Sequence, residues 1–240
     1  MKSDIRQVFY SDRQMGEYLT PMSIQQRKQL KWISGQRYER NSVVVDIGTG
    51  TAGGFSEMFS RFQHSLLVGV DISEKSLGIA LSRGVNGVCA DLDGSNLPIR
   101  SESVDVVVMD EIIEHVSDTD GLIQEVNRML KPGGMLLVST PNIAAWFNRI
   151  ALLFGIQPAF SEVSYRKIYG RPGTDVVGHL RLFTLQALVE FLKDNGFEIK
   201  SVKGTVFPVL PRFVKLIDLT MALKPSLAGG LVVCARKLSK

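Results

Sequence analysis

A doubly wound α/β sheet is the fold this sequence predicts, on three observations. Apolar runs of about four to six residues, rich in Val, Ile and Leu, alternate with stretches of helical period. A glycine-rich turn, "DIGTGTAGG" from Asp46 to Gly54, follows the first run directly. Asp46, Asp71, Asp91 and Asp110 each close an apolar run, where the carboxyl ends of parallel strands would place a ligand site.

In chain order, "TPMSIQQRKQLKWISGQ" predicts a helix capped near Thr20 or Ser23, with Pro21 at its start and Gly35 past its end. Seven strands are expected at "SVVVDI", "SLLVGVD", "VNGVCAD", "VDVVVMD", "GMLLVST", "FEIKSVKG" and "GLVVCAR". Between them Phe55, Phe59 and Phe62 mark one helix, Leu77, Ala80 and Leu81 a second, and Leu122, Val126, Met129 and Leu130 a third. Leu185, Leu188 and Leu192 mark a fourth, running from a Thr184 cap to Gly196. These apolar stripes are read as core.

With 240 residues and 45% hydrophobic composition, one domain over residues 1–240 is expected. No apolar run suits a transmembrane helix and "MKSDIRQVFYSDRQ" lacks the apolar centre of a signal peptide, so a cytoplasmic location is expected. Cys89 and Cys234 lie in strand-like runs without C-x-x-C spacing and are read as small buried hydrophobes. The net charge of +4 is mild and favours acidic partners only weakly.

The glycine turn fits two motifs. Gly48, Gly50 and Gly53 spell the G-x-G-x-x-G of a dinucleotide site, whereas Asp46, Gly48 and Gly50 spell D-x-G-x-G. A carboxylate at Asp46 would face a dinucleotide's phosphates, and like charges at hydrogen-bond range repel by about 4 kcal/mol at an effective dielectric near 20. The same carboxylate suits S-adenosylmethionine, which lacks phosphate and carries an ammonium and a sulfonium. Asp71 stands where either cofactor would offer its ribose hydroxyls. Asp91 reads either as an adenine contact or as a turn former with Asp93 and Gly94.

The series "VVVDIGTGTAG", "VGVDIS", "CADLDGSNLPIRSESVDVVVMDEIIEHV", "NRMLKPGGMLLVSTPN" and "GHLRLFT" resembles the class I S-adenosylmethionine-dependent methyltransferases over most of residues 41–201. Within them it is similar to the branch that includes the ubiquinone-biosynthesis O-methyltransferases. The resemblance implies a Rossmann-like seven-stranded sheet with the last strand antiparallel, and an N-terminal helical lid over about residues 1–40. It assigns Asp46, Gly48, Thr49 and Gly50 to the methionine end of the cofactor, Asp71 and Ile72 to the ribose side, Asp91 and Leu92 to the adenine, and Met109 or Asp110 to the face beside the sulfonium. An NAD(P)-dependent oxidoreductase and a non-catalytic cofactor-binding regulator or partner subunit remain as alternatives.

After the fourth strand, nucleobase amino methyltransferases usually carry [N/D]-P-P-[F/Y/W]. This chain has "DEIIEHV", which disfavours a nucleic-acid substrate of that kind. Glu111, Glu114 and His115 are spaced E-x-x-E-H and would share one face of a helical turn. Relatives with this motif can hold a divalent cation there, and His179 in "GHLRLFT" is the further histidine expected nearby. The reading is an O-methylation helped by His115, His179 and Glu111. The Glu-His pair also fits a plain polar helix cap.

From Ile143 to Arg181 the chain leaves the strand-helix rhythm, a length that points to function. "IAAWFNRIALLFG" is apolar nearly all round, which implies either burial beneath the rest of the insertion, the default, or contact with something greasy, while "SYRKIYGRPG" reads as a holder of an acidic head group or phosphate or as a solvated loop. A second flap spans about residues 207–228. Together they predict a small-molecule or lipid-linked acceptor of moderate size, with peripheral membrane contact at most.

Overall fold

The computed structural model describes residues 41–52, 65–94, 96–173, 176–206 and 212–239. The helices expected near Thr20–Gly35 and at Phe55–Phe62 lie outside them, as does the start of the second flap. The strands are β1 (Val43–Ile47), β2 (Leu66–Asp71), β3 (Asn86–Cys89), β4 (Val104–Asp110), β5 (Leu130–Pro141), β6 (Phe197–Thr205) and β7 (Gly230–Lys237). The helices are α1 (Glu74–Ser82), α2 (Thr119–Met129), α3 (Trp146–Leu153), α4 (Leu185–Asp194) and α5 (Arg212–Met221), with 3-10 turns at Ile113–His115 and Pro225–Leu227.

All seven strands form one sheet in the order β3-β2-β1-β4-β5-β7-β6. The β1, β2, β3, β4 and β5 pairings are parallel, and β7 runs antiparallel to both β5 and β6. The chain moves outward from β1 to β3 and returns to lay β4 beside β1. That reversal opens a crevice at the carboxyl ends of β1 and β4.

Period-two alternation decides which side chains meet which helix layer. Val45, Ile47, Val107, Met109, Leu136 and Val138 point to one face, into a core with Leu122, Ile123, Val126, Leu188 and Leu192. Val44, Val106, Val108 and Leu137 point to the other, with Ala80. The start of β1 is held by Asp105, which accepts the Val43 N–H at 2.9 Å and pairs with Lys131 Nζ at 2.8 Å.

Helix α4 matches its sequence signals: Thr184 accepts the Ala187 N–H and Gly196 follows with φ +84°. Four readings need correction. Leu130 opens β5 rather than closing α2. Leu81 is 63% exposed, because only the Leu77–Ala80 side of α1 packs on the sheet. Cys89 is exposed, because β3 is a four-residue edge strand with nothing beyond it among the described residues; Cys234, in the interior strand β7, is buried and its thiol is pushed up to about 12.

The fourth correction is the largest. "IAAWFNRIALLFG" is not buried all round: Ile150, Leu152, Leu153 and Phe154 are exposed, while Asn148 is fully buried. Asn148 Nδ2 donates to the Ile143 carbonyl at 3.1 Å and its Oδ1 accepts the Ala159 N–H at 2.8 Å. The polar side chain ties the insertion together from inside, and the apolar ones are left facing out.

Candidate functional site

The first loop is built by the end of β2. The Gly48 and Thr49 N–H groups donate to the Val70 carbonyl at 2.8 and 3.1 Å, and the Gly50 N–H donates to Asp71 Oδ2 at 2.8 Å. Gly48 has φ +75°, and a Cβ there would lie 2.6 Å from the Ile112 side chain, so only glycine lets this loop approach the turn after β4. A Cβ at Gly50 would meet nothing within 4 Å. Thr49 faces away: its methyl occupies the space that a Cβ at Gly69 would take.

Beside this loop lies a cavity of about 180 Å³. Gly48, Gly50, Asp71, Ile72, Asp91 and Leu92 line it, all of them expected cofactor residues. Glu111 and His115 line it as well, which puts the cofactor loops and the E-x-x-E-H motif on one space. Asp71 carries the Gly50 N–H on one oxygen and the Ser73 N–H, at 2.8 Å, on the other. Asp91 forms the tight turn, its Oδ1 accepting the Asp93 N–H at 3.0 Å, and it also borders the cavity.

Asp46, Met109 and Asp110 sit behind this lining. Asp46 is 6% exposed, and burial pushes its carboxyl up to about 8, with Asp110 and Asp71 adding repulsion. Burial raises Asp110 too, partly offset by the Ser139 hydroxyl that donates to it. The Met109 side chain belongs to the core beneath the sheet, so only its backbone remains for a ligand. Buried carboxylates this close together favour a positively charged neighbour.

Glu111 does not share a helical face with Glu114 and His115. Its N–H completes the β4–β5 ladder on Ser139, its φ is +53°, and the 3-10 turn starts only at Ile113. The third member comes from elsewhere. The Glu114 carbonyl accepts the N–H groups of Leu180 and Arg181 at 2.7 and 3.0 Å, which draws His179 against His115 with ring centroids 4.9 Å apart. Donor atoms of Glu114, His115 and His179 all lie within 4.8 Å of one another.

The chemistry of this corner follows from its partners. His115 Nδ1 meets the Gly178 carbonyl at 3.3 Å and His179 Nδ1 meets the Phe160 carbonyl at 3.0 Å. A carbonyl only accepts, so each Nδ1 carries the proton and each Nε2 holds the lone pair of a base or a ligand. Burial and the facing His179 lower His115 to about 4, and burial lowers His179, so both imidazoles are neutral at physiological pH. Glu114 is 1% exposed; Thr140 donates to its Oε2 at 3.0 Å, whereas its Oε1, 3.9 Å from His115 Nε2, has no hydrogen-bond partner among the described residues. Burial and Glu111 raise its carboxyl well above the usual range, and burial with Asp110 lifts Glu111 to about 8. A buried carboxylate oxygen beside two lone-pair nitrogens fits a divalent cation.

Sequence reasoning missed several supports. Asp93 accepts the Ser117 N–H, the Ser117 hydroxyl and the Asp118 N–H at 2.7–2.9 Å, clamping the Asp91 turn to the segment that carries His115. Glu162 accepts the N–H groups of Val177, Gly178 and His179. A D-L-D-G turn hints at the first; nothing local in the sequence marks the second.

The model of a methyltransferase domain family matches residues 45–138. A ubiquinone biosynthesis O-methyltransferase from Cupriavidus pinatubonensis is 36% identical over 192 residues, covering 78% of this chain and 72% of that protein. Its counterpart from Pseudomonas syringae pv. tomato is 28% identical over 192 residues and 78% of each chain. Among solved structures, an S-adenosylmethionine-dependent methyltransferase from Thermotoga maritima aligns with TM-score 0.60 at 21% identity, over 99% of this chain and 96% of that one, and shares the fold. The chain belongs to the class I S-adenosylmethionine-dependent methyltransferases.

Proposed function

We propose that this methyltransferase transfers the methyl group to a hydroxyl of a partly apolar acceptor of small or moderate size, in the corner formed by Glu114, His115 and His179. One observation carries the reading: His115 lines the cavity beside the expected cofactor residues with His179 packed against it, and both are neutral imidazoles oriented by a carbonyl on Nδ1. The relatives' names point the same way, since those proteins are O-methyltransferases.

S-adenosylmethionine, when bound, supplies a methyl group on a sulfonium that is a good leaving group. The residues present suit it. Gly50 leaves the wall open where a side chain would intrude, Asp71 keeps lone pairs for ribose hydroxyls, and Asp91 with Leu92 borders the adenine end. Asp46 and Asp110, whose carboxyls burial raises in the ligand-free protein, would ionise beside the ammonium and sulfonium and attract them. Ile72 lines the same pocket, to which Thr49 and Met109 would offer only their backbones. The protein's remaining work is alignment, and removal of the hydroxyl proton by a neutral imidazole.

A second reading has its own observation. The partnerless Glu114 Oε1 within ligand range of two histidines would hold a divalent cation, which would lower the pKa of an acceptor hydroxyl. Methyl transfer from labelled cofactor to a panel of phenolic and aliphatic alcohols tests the first reading; transfer to amines alone would refute it. EDTA separates the two. A cation-assisted reaction stops and recovers with magnesium, manganese or zinc, while a histidine base ignores chelation.

A further inference from the structure

We propose that the two flaps at the mouth of the site form a docking surface for an anionic lipid bilayer. Both are at the ligand end of the sheet: one follows the carboxyl end of β5, and the other follows β6, which runs parallel to β5 because both are antiparallel to β7. They are joined to each other. Trp146 Nε1 at the start of α3 donates to Asp218 Oδ1 in α5 at 2.9 Å, and Arg149 reaches the Ser226 carbonyl at 3.3 Å.

Helix α5 is amphipathic in the wrong sense for a core helix. Asp218 is fully buried, whereas Leu216 is 72% exposed with Leu219 beside it at i+3, and Leu223, in the turn just past the helix, is 85% exposed. The end of α3 repeats the pattern, with Leu153 83% and Phe154 77% exposed above buried Asn148. Most of the large apolar side chains exposed on the described residues belong to these two flaps. Single exposed leucines need no explanation; a cluster of this kind marks an interaction surface.

Charge selects the occupant. From Ile143 to Arg181 the sequence holds five Lys and Arg against Glu162 and Asp175, and from Phe207 to Ala228 three against Asp218. The flaps therefore carry more net positive charge than the +4 of the whole chain. Glu162 is engaged by backbone N–H groups and Asp218 is buried, which leaves cations such as Lys215 and Lys224 exposed beside the leucines. A second copy docking through the same patch would oppose like charges across a two-fold axis. Apolar side chains ringed by cations fit the interface of an acidic membrane. Among the described residues no helix is long and apolar enough to cross a bilayer, so the contact is peripheral. The delivery of a lipid-linked acceptor to the mouth rests on the proposed methyl transfer; the docking itself does not.

Flotation of the full chain with phosphatidylcholine vesicles, with and without about a third phosphatidylglycerol, tests this. The protein should float with the anionic vesicles at least tenfold more than with the neutral ones, and less as salt rises. Leu216→Ser with Leu223→Ser, Leu153→Ser with Phe154→Ser, and Lys215→Glu with Lys224→Glu should each cut flotation about tenfold or more, with S-adenosylhomocysteine affinity unchanged as the control for fold and cofactor site. No preference of the unaltered chain for anionic vesicles overturns the proposal, as does flotation that all three variants retain. A dimer that the leucine variants dissolve, without vesicle binding, assigns the patch to a second copy instead; capture of a protein partner without lipid assigns it there. Failure of the unaltered chain to bind S-adenosylhomocysteine would undo the methyltransferase reading and leave the docking result standing.

Discussion

The two sides of one cleft are made in opposite ways. On the cofactor side, loops follow directly from β1, β2 and β3 and are pinned within a tight turn or by the strand next door: Asp71 holds Ser73 and, from β2, Gly50 of the loop after β1, and Asp91 holds Asp93. On the acceptor side, roughly forty residues follow β5, and their anchors come from far along the chain, Trp146 to Asp218 and Glu114 to Leu180. The first side buries apolar groups and lines its cavity with carboxylates such as Asp71 and Asp91 between apolar side chains such as Ile72 and Leu92. The second buries Asn148 and Asp218 and exposes leucines. A loop whose geometry is set by its own neighbours suits a ligand shared by many enzymes; a flap assembled from distant segments can change its acceptor without disturbing that ligand.

The contrast is sharpest if damage to one side leaves the other untouched. Asp71→Ala should have the largest effect. It removes hydrogen bonds to charge of about 1.5–3 kcal/mol each and releases Gly50 and Ser73. Cofactor affinity should fall by about 10²-fold or more by calorimetry, while the acceptor corner keeps its fold. His115→Ala and His179→Ala should do the reverse: turnover falls by about 10²-fold with S-adenosylhomocysteine affinity unchanged. If either histidine variant lost cofactor affinity instead, the two sides would not be separable.

Asp46→Asn should act in two directions. Its carboxyl lies at about 8 in the folded, ligand-free protein against an ordinary 3.8, so the folded state holds the extra proton. Stability of the ligand-free protein therefore falls as pH rises from about 4 to 8 and is flat above, by the sign of the proton difference. The asparagine variant should melt higher near pH 8, by about 1–3 kcal/mol of stability, and lose that slope. It should bind S-adenosylmethionine about tenfold more weakly, because attraction to the cofactor's positive charge is gone. A variant that melts at the same temperature across this range would mean Asp46 is ionised without its ligand. Trp146→Phe should have the smallest effect, about 1 kcal/mol from the lost bond to Asp218 and a melting point lower by about 2–4 °C. Its mark should be a raised acceptor KM with cofactor affinity intact.

Legibility in the sequence followed the same division. The strands, the D-x-G-x-G loop, Asp71 and Asp91 could be read because period-two burial and glycine's positive φ are local properties, visible in adjacent residues. Thr49 and Met109 stand in the right motif, yet their side chains point to Gly69 and the core, since alternation along a strand places every second side chain on the far face. The E-x-x-E-H spacing suggested a helical turn, but the last rung of the β4–β5 ladder holds Glu111 in a left-handed conformation. His179 was named from its motif alone; its place beside His115 depends on two backbone hydrogen bonds to Glu114.

By itself, the sequence determined the class of fold and the motifs that border the cavity, because strand alternation and the D-x-G-x-G pattern are visible in adjacent residues, even though Gly50 is held by Asp71 from the next strand. The tertiary structure decided which donors converge at the acceptor corner and which faces of α3 and α5 turn outward. Those outcomes depend on pairings such as Trp146 with Asp218 and Glu162 with His179, between residues whose spacing along the chain carries no periodic signal.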